Sequence, residues 1–369
     1  MKKVLIAAKD MNIGGVEKSL LSLLDTLSPA EYQVDLLLLE SYGGFLDAIP
    51  EWINVSMCTE YDSLKDEVNL PPLSVIRGHI KTGRFLRALR LGLGYCRYKL
   101  TGNFAYYYKS VFKGIPMHPG YYDAAISYSS IISYLTWYVC NHVNATKKVG
   151  WIHFDISKLA IDHKMMNDLH RKMEKIYVVS REAMNAFVRE FPDLREKCEL
   201  RYNVVDKNTI IRRAQAPAEN LKKPESCLIM TLGRLSAEKG QDIIPDVAAR
   251  LKAKGLKFKW CLIGDGNLRP AIEKRIEELG LMDYVILLGT KANPYPYLKQ
   301  ADVYVQTSVH EGYCISLAEA RSFDLPIVST SFAGAYEQLE GRKKSVIALR
   351  DASVLADEIE TIVENTMMC

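Results

Sequence analysis

Along most of this chain, short apolar runs alternate with longer stretches whose apolar residues recur at helical spacing. Lys2–Ala8 (KKVLIAA) reads as a buried strand. A loop follows with two adjacent glycines, Gly14 and Gly15. Val16–Leu27 then carries Leu20, Leu21, Leu23, Leu24 and Leu27 on a helical face, and Tyr32–Leu39 is a second strand. The opening therefore predicts a βαβ unit. After an interruption the rhythm resumes with strand Tyr122–Tyr128, a helix near Ile131–Asn141 and strand Lys147–His153. Helix Ile156–Met173, strand Ile176–Ser180 and helix Glu182–Phe191 follow.

Residues 203–226 lack sustained periodicity and hold two prolines, which predicts a connector at 206–226. A second alternating series begins with strand Leu228–Gly233, the loop Arg234–Gly240 and a helix over about Ile243–Lys254. Strand Phe258–Gly264, the turn Asp265-Gly266-Asn267, a helix ending near Gly280 and strand Val285–Gly289 continue it. A short helix is expected near Tyr297–Gln300. Strand Val303–Thr307, loop Ser308–Gly312, helix Tyr313–Phe323 and strand Ile327–Thr330 come next. Strand Val346–Leu349 and a helix over about Ser353–Asn365 close the series. Two such series predict an α/β protein with two Rossmann-like domains facing across a cleft, one over 1–205 and one over 227–369. The last helix is a candidate to pack back on the first domain.

Composition leaves that picture intact. The 369 residues are 48% apolar and 25% charged, ordinary for a soluble globular protein of two domains. No apolar run approaches a membrane span. Lys9 and Asp10 break the N-terminal apolar run, so a first strand is expected there and not a signal peptide. The eight cysteines are scattered without a Cys-x-x-Cys pair, which argues against a disulfide framework or a zinc site and fits a reducing cytoplasm.

Charge does change the picture at one place. Residues 68–122 hold nine Lys and Arg and no Asp or Glu, so the remainder of this +4 chain carries a formal charge of −5. In the same stretch Phe85, Leu86, Leu89, Leu91, Leu93, Tyr95, Tyr98, Phe104 and Tyr106–Tyr108 interleave with the cations. Such a mixture on helices suits an anionic membrane surface, with peripheral attachment to the inner face of the cell membrane; a solvated helical insertion is the alternative. No nucleic-acid motif accompanies the charge, so no nucleic-acid partner is expected.

Candidate chemistry gathers at strand ends. Glu311 and Glu319 bracket the turn into a predicted helix, where an α/β sheet commonly meets a polar ligand; two unrelated surface glutamates are the plainer reading. Arg234 and Lys239 lie in the loop after the first strand of the second series. Two cations beside a helix N-terminus can neutralise a diphosphate. Cations for phosphates with carboxylates for sugar hydroxyls describe a nucleotide-sugar site. Gly14-Gly15 could line an anion site or simply form a tight turn. His153 ends a strand where ligand contacts are common, against the alternative of a hydrogen-bonded core histidine.

Gly233-Arg234-Leu235 with Glu238-Lys239-Gly240, Gly264-Asp265-Gly266, and Glu311-Gly312-Tyr313 running to Glu319 resemble glycosyltransferase family 4, the retaining enzymes of the GT-B fold. Gly14-Gly15-Val16-Glu17, His153, Val179-Ser180 and Asn203-Val204-Val205-Asp206 resemble that family's patterns in the same order. The resemblance implies a hexosyl transfer from a UDP- or GDP-linked sugar to a hydroxyl acceptor, perhaps a lipid-linked one used in surface polysaccharide synthesis. It implies that Arg234 and Lys239 bind the donor diphosphate, Glu311 the transferred sugar and Glu319 the ribose. Backbone around Gly312, Tyr313, Cys314 and Ile315 would assist. His153 would lie near sugar and acceptor, and Gly15 would line the site from the first domain. No Asp-x-Asp cluster follows a strand in a suitable context, so neither a metal nor a cofactor beyond the co-substrate is expected. Two residues depart from the family's pattern, Cys314 and Asp324, each where Gly is common. Further C-terminal helices common in the family are not found before Cys369. A GT-B epimerase or phosphorylase, or a non-catalytic GT-B partner subunit, would share these features.

Overall fold

The computed structural model describes residues 1–159, 161–221 and 226–367. The chain divides into two compact units, Met1–Val179 with Met184–Arg201, and Ser180–Ala183 with Tyr202–Cys369.

The first unit is built on a seven-stranded parallel sheet. Its strands are β1 (Lys2–Ala8), β2 (Tyr32–Leu38), β3 (Asn54–Met57), β4 (Tyr122–Ser127), β5 (Ala145–Ile152), β6 (Lys175–Val178) and β7 (Cys198–Leu200). They lie in the order β3-β2-β1-β4-β5-β6-β7, the order of a doubly wound sheet. Helices cover a parallel sheet on both faces, so its central strands are continuous apolar runs. In β1 every residue from Val4 to Ala8 is buried. The edge strands β3 and β7 are the exceptions. Neither has a fully buried residue, and neither shows as an apolar run in the sequence.

Between β3 and β4 stand the helices Thr59–Asn69, Pro72–Lys81, Phe85–Thr101 and Ala105–Val111. The last three fill most of the basic stretch 68–122. A helix predicted across Ile156–Met173 is instead a 3-10 turn, Ile156–Lys158, and a helix, His163–Arg171, with residue 160 outside the described residues. The break follows from capping: the Asp162 side chain accepts a hydrogen bond from the Met165 N–H at 2.8 Å and starts the helix there.

The second unit repeats the plan with six parallel strands: β8 (Cys227–Leu232), β9 (Phe258–Ile263), β10 (Val285–Gly289), β11 (Val303–Gln306), β12 (Ile327–Thr330) and β13 (Ser345–Ala348). Their order is β10-β9-β8-β11-β12-β13. Successive side chains of a strand point to opposite faces, and the two cores sort accordingly. Ile229, Trp260, Leu262, Val303, Val305 and Val328 enter one core with the helices Ile244–Ala253 and Ala352–Met367. Leu228, Met230, Cys261, Ile263, Tyr304 and Ile327 enter the other, with Leu317, Ala320 and Leu339. That second core also includes Ile210, Ala214 and Leu221. The connector expected at 206–226 therefore contains a helix, Lys207–Arg213, packed into the second unit, while residues 222–225 lie outside the described residues.

Candidate functional site

In the second unit, three loops at the C-terminal ends of β8, β9 and β11 are fastened together. The Leu235 N–H donates to the Asp265 carbonyl at 3.0 Å, and Leu268 N–H to the Leu235 carbonyl at 3.0 Å. A Cβ on Gly264 would lie 2.0 Å from the Gly233 carbonyl oxygen, so only glycine allows this approach. Gly240 has φ of +63°, and a Cβ there would lie 2.3 Å from the Thr307 carbonyl oxygen. Across the same gap Val309 N–H donates to the Glu238 carbonyl at 2.9 Å, and the Thr307 hydroxyl to the Lys239 carbonyl at 3.1 Å.

This stitching brings Lys239 to Glu311, 72 residues apart in sequence. The Lys239 ammonium forms an ion pair with Glu311 Oε1, and the two side chains retain only 20% and 12% exposure. Burial pulls the Lys239 ammonium down; the adjacent Glu311 carboxylate more than offsets it and holds the ammonium above the ordinary lysine value. The Ser308 hydroxyl also donates to Glu311 Oε1 at 3.0 Å. Behind it runs a buried chain: Gln306 Nε2 donates to Ser308 Oγ at 2.7 Å, and the Tyr304 hydroxyl to Gln306 Oε1 at 2.6 Å. Arg234 is exposed at the start of the first loop. Gln241, wholly buried beside Gly233, has neither amide atom hydrogen-bonded in the protein.

The turn that follows Glu311 is held in an uncommon backbone conformation. Cys314 has φ of +65° and is the N-cap of a helix that runs only over Ile315–Arg321, shorter than the Tyr313–Phe323 expected. Asp324, at φ +55°, is the other non-glycine residue with positive φ among the described residues. Both positions where the sequence departs from glycine thus keep a backbone that favours glycine. Gln338 Nε2 donates to the Tyr313 carbonyl, and to the Cys314 carbonyl at 3.3 Å, which pins the turn. The Cys314 thiol is buried, and burial with the nearby Glu311 charge pushes it up to about 12. It is an inert thiol at neutral pH.

Glu319 has a different hydrogen-bond partner, Tyr295. It is 2% exposed, and its Oε1 accepts from the Tyr295 hydroxyl at 3.0 Å. Tyr295 stands on the short helix Tyr295–Leu298, slightly before the position expected for that helix. The Arg213 guanidinium sits 5.2 Å from the centre of its ring. The two glutamates of the turn therefore occupy distinct settings, one salt-bridged to Lys239 and one bonded to a tyrosine.

Gly15 and His153 belong to the first unit. Gly15 opens the helix Gly15–Thr26, with Gly14 as its extended N-cap. His153 follows β5 directly and is 5% exposed. Its ring packs against Tyr128, with centroids 4.6 Å apart, and runs nearly parallel to Trp151. The Tyr128 hydroxyl is 2.8 Å from Ser19 Oγ, which ties the helix after Gly15 to the aromatic group around His153.

Ser308, Gln306, Gln338, Tyr295 and Gln241 were not among the residues the sequence singled out. Ser308 stands in the loop Ser308–Gly312 and Gln306 in the strand before it, whereas Gln241, Tyr295 and Gln338 fall between the predicted elements. Among the described residues, no group of three or more His, Cys, Asp or Glu is placed to hold a metal ion, and no helix is long and apolar enough to cross a membrane.

Residues 212–369 match the model of a family described as Glycosyl transferases group 1. An uncharacterized glycosyltransferase of Methanocaldococcus jannaschii is 30% identical over 159 residues, covering 42% of this chain and 39% of the relative. An N-acetylgalactosamine-N,N'-diacetylbacillosaminyl-diphospho-undecaprenol 4-alpha-N-acetylgalactosaminyltransferase of Campylobacter jejuni is 29% identical over 173 residues, 47% of this chain and 46% of the relative. The chain thus matches less than half the length of these two curated relatives. Among solved structures, Anabaena HepE in complex with UDP and glucose superposes with a TM-score of 0.71 at 18% identity, covering 100% of this chain and 91% of that one. That likeness gives the fold, an α/β architecture of the GT-B class with two parallel sheets.

Proposed function

We propose, from the match of residues 212–369 to the model of glycosyl transferases group 1, that this protein moves a sugar from a nucleoside diphosphate sugar to an acceptor hydroxyl, with retention of anomeric configuration and without a metal ion. The observation that carries this reading is the Lys239–Glu311 ion pair beside the exposed Arg234. A diphosphate is met by cations, and sugar hydroxyls by a carboxylate that accepts hydrogen bonds.

As the bond from the anomeric carbon to the diphosphate breaks, negative charge grows on the departing phosphate. Arg234 and Lys239 stabilise it, Arg through its planar fork and Lys as a point charge. The raised Lys239 ammonium stays charged throughout the physiological range. The departing phosphate oxygen takes the proton of the acceptor hydroxyl as that hydroxyl joins the same face of the sugar. Glu311 already accepts from Lys239 and Ser308, so it orients the sugar and is not the base. Glu319 accepts from the ribose hydroxyls as well as from Tyr295, since a carboxylate has about four lone-pair sites. Backbone around Gly312, Tyr313, Cys314 and Ile315 lies beside the phosphates. His153 and Gly15 serve the sugar and acceptor from the first unit, roles that rest on the family resemblance.

A UDP-linked sugar is the first donor to try, because the similar HepE structure holds UDP and glucose. A lipid-linked saccharide is the first acceptor class, because the C. jejuni relative is named for a diphospho-undecaprenol substrate. The reaction then belongs to polysaccharide or glycoconjugate assembly at the cytoplasmic side of a membrane. The test is turnover of UDP- and GDP-sugars with lipid-linked acceptors in the presence of a chelator, with the product's anomeric configuration read by proton NMR. An inverted product, or activity abolished by the chelator, overturns the retaining, metal-free reading. Consumption of the nucleotide sugar to an isomer without acceptor points to an epimerase.

A further inference from the structure

The helix Phe85–Thr101 carries an apolar face that the protein leaves uncovered. Phe85, Leu86, Leu89, Leu93 and Leu100 are 65%, 86%, 61%, 64% and 88% exposed. At about 100° per residue these five side chains fall within an arc of about 100°, a single stripe along the helix. The opposite side is firmly seated, with Ala88, Leu91 and Gly94 buried. At Gly94 a Cβ would lie 2.3 Å from Ser110 Oγ, so this side lies close against the helix Ala105–Val111. The stripe is therefore the outward side of an anchored helix. The neighbouring helix Pro72–Lys81 packs on it and exposes Leu73 and Ile80 as well, each at 49%.

Cations border this stripe. By the same helical geometry Arg90 and Arg97 lie along one margin and Lys99 along the other, and Arg84 precedes the helix. Aromatic rings hold two of them: the Arg97 guanidinium lies 4.3 Å from the Tyr106 ring centre, and the Lys99 ammonium 5.4 Å from those of Tyr95 and Tyr98. No carboxylate side chain occurs anywhere in 68–122. A second copy of this chain would bring like-charged margins together across a two-fold axis, which disfavours self-association. Apolar side chains with cationic margins and tyrosines beside them match the boundary between acyl chains and anionic headgroups.

We infer that the outward face of Phe85–Thr101 is a docking surface for an anionic membrane, with Phe85, Leu86, Leu89, Leu93 and Leu100 entering the acyl boundary and Arg90, Arg97 and Lys99 meeting phosphate headgroups. This goes beyond the donor-site reading and is measured without nucleotide sugar, so each can fail without the other. The experiment is flotation of the full chain with vesicles of phosphatidylcholine alone and of phosphatidylcholine with phosphatidylglycerol. The chain is expected to float with the anionic vesicles, weakly with the neutral ones, and less as salt rises. The triple variant Leu86→Ser, Leu89→Ser, Leu93→Ser should lower partitioning at least about tenfold, and Arg97→Gln with Lys99→Gln several-fold, with far-UV circular dichroism unchanged. No flotation of the wild type, equal binding to both vesicle types, or wild-type binding by the leucine variant overturns the inference. So does a wild-type dimer in sedimentation that the leucine variant turns into a monomer, since a second copy then covers the face.

Discussion

Replacing Lys239 by Met removes the ammonium and leaves the Glu311 carboxylate 12% exposed, with the Ser308 hydroxyl still donating to it. Removing one member of a buried ion pair costs about 3–5 kcal/mol, because the other charge stays behind unpaired. Residual exposure of both side chains lets water reach them and reduces that to about 2–3 kcal/mol. The reciprocal change, Glu311→Gln, leaves a lysine whose long stem can turn its ammonium to solvent, so about 1 kcal/mol is expected. The double variant should lose less than the sum of the two, by about 1–2 kcal/mol. Denaturant unfolding of all four proteins supplies the cycle, followed by hydrogen exchange in the strands of the second unit to locate the change. Equal losses in the two single variants, with simple additivity in the double, would refute a charge pair that depends on burial.

Three further changes probe the surroundings. His170 is wholly buried, with Nδ1 2.9 Å from the Met166 carbonyl oxygen and Nε2 3.1 Å from Ser130 Oγ, and burial pushes it down to about 4. A histidine depressed in the folded state binds fewer protons than in the unfolded chain, so its stability contribution is present above about pH 6.5 and is lost as pH falls toward 4, by about 3 kcal/mol in all. Unfolding midpoints across that window should show the slope, and His170→Gln should flatten it; an unchanged slope in the variant assigns it elsewhere. At Cys314, Gly should be more stable than Ala by about 1 kcal/mol, the reverse of the helix-interior order, because φ of +65° strains any residue with a Cβ; thermal melts showing Ala equal or better contradict this. Gln338→Leu removes the donor that pins the Tyr313 and Cys314 carbonyls and should cost about 1–3 kcal/mol together with weaker nucleotide binding, read by melting and calorimetry.

Much of this architecture is legible in the sequence because a parallel sheet buries both faces of its strands. Val4–Ala8 and Cys227–Met230 are unbroken apolar runs for that reason, and their alternation with helices implies the doubly wound order. Edge strands escape the same reasoning: Asn54–Met57 faces solvent along most of its length. Arg234, Lys239 and Glu311 are legible as strand-end charges, and the pairing of Lys239 with Glu311 follows from the adjacency of β8 and β11. The support beneath them is not legible. Gln306 lies in a strand and Gln338 in a helix, where polar residues ordinarily read as surface, and only the fold turns both inward. Glu319 brackets the same turn as Glu311, but its hydrogen bond from Tyr295, 24 residues earlier, cannot be read from spacing.

The claim that Arg234, Lys239 and Glu311 form a donor site is tested most directly by calorimetric titration of the full chain with UDP and GDP. Binding by the wild type is predicted for one of them, with Arg234→Ala weakening it at least about tenfold, or about 1.4 kcal/mol, and leaving the melting temperature of the unliganded protein unchanged. No binding of either nucleotide, or equal affinity in wild type and Arg234→Ala, would contradict it.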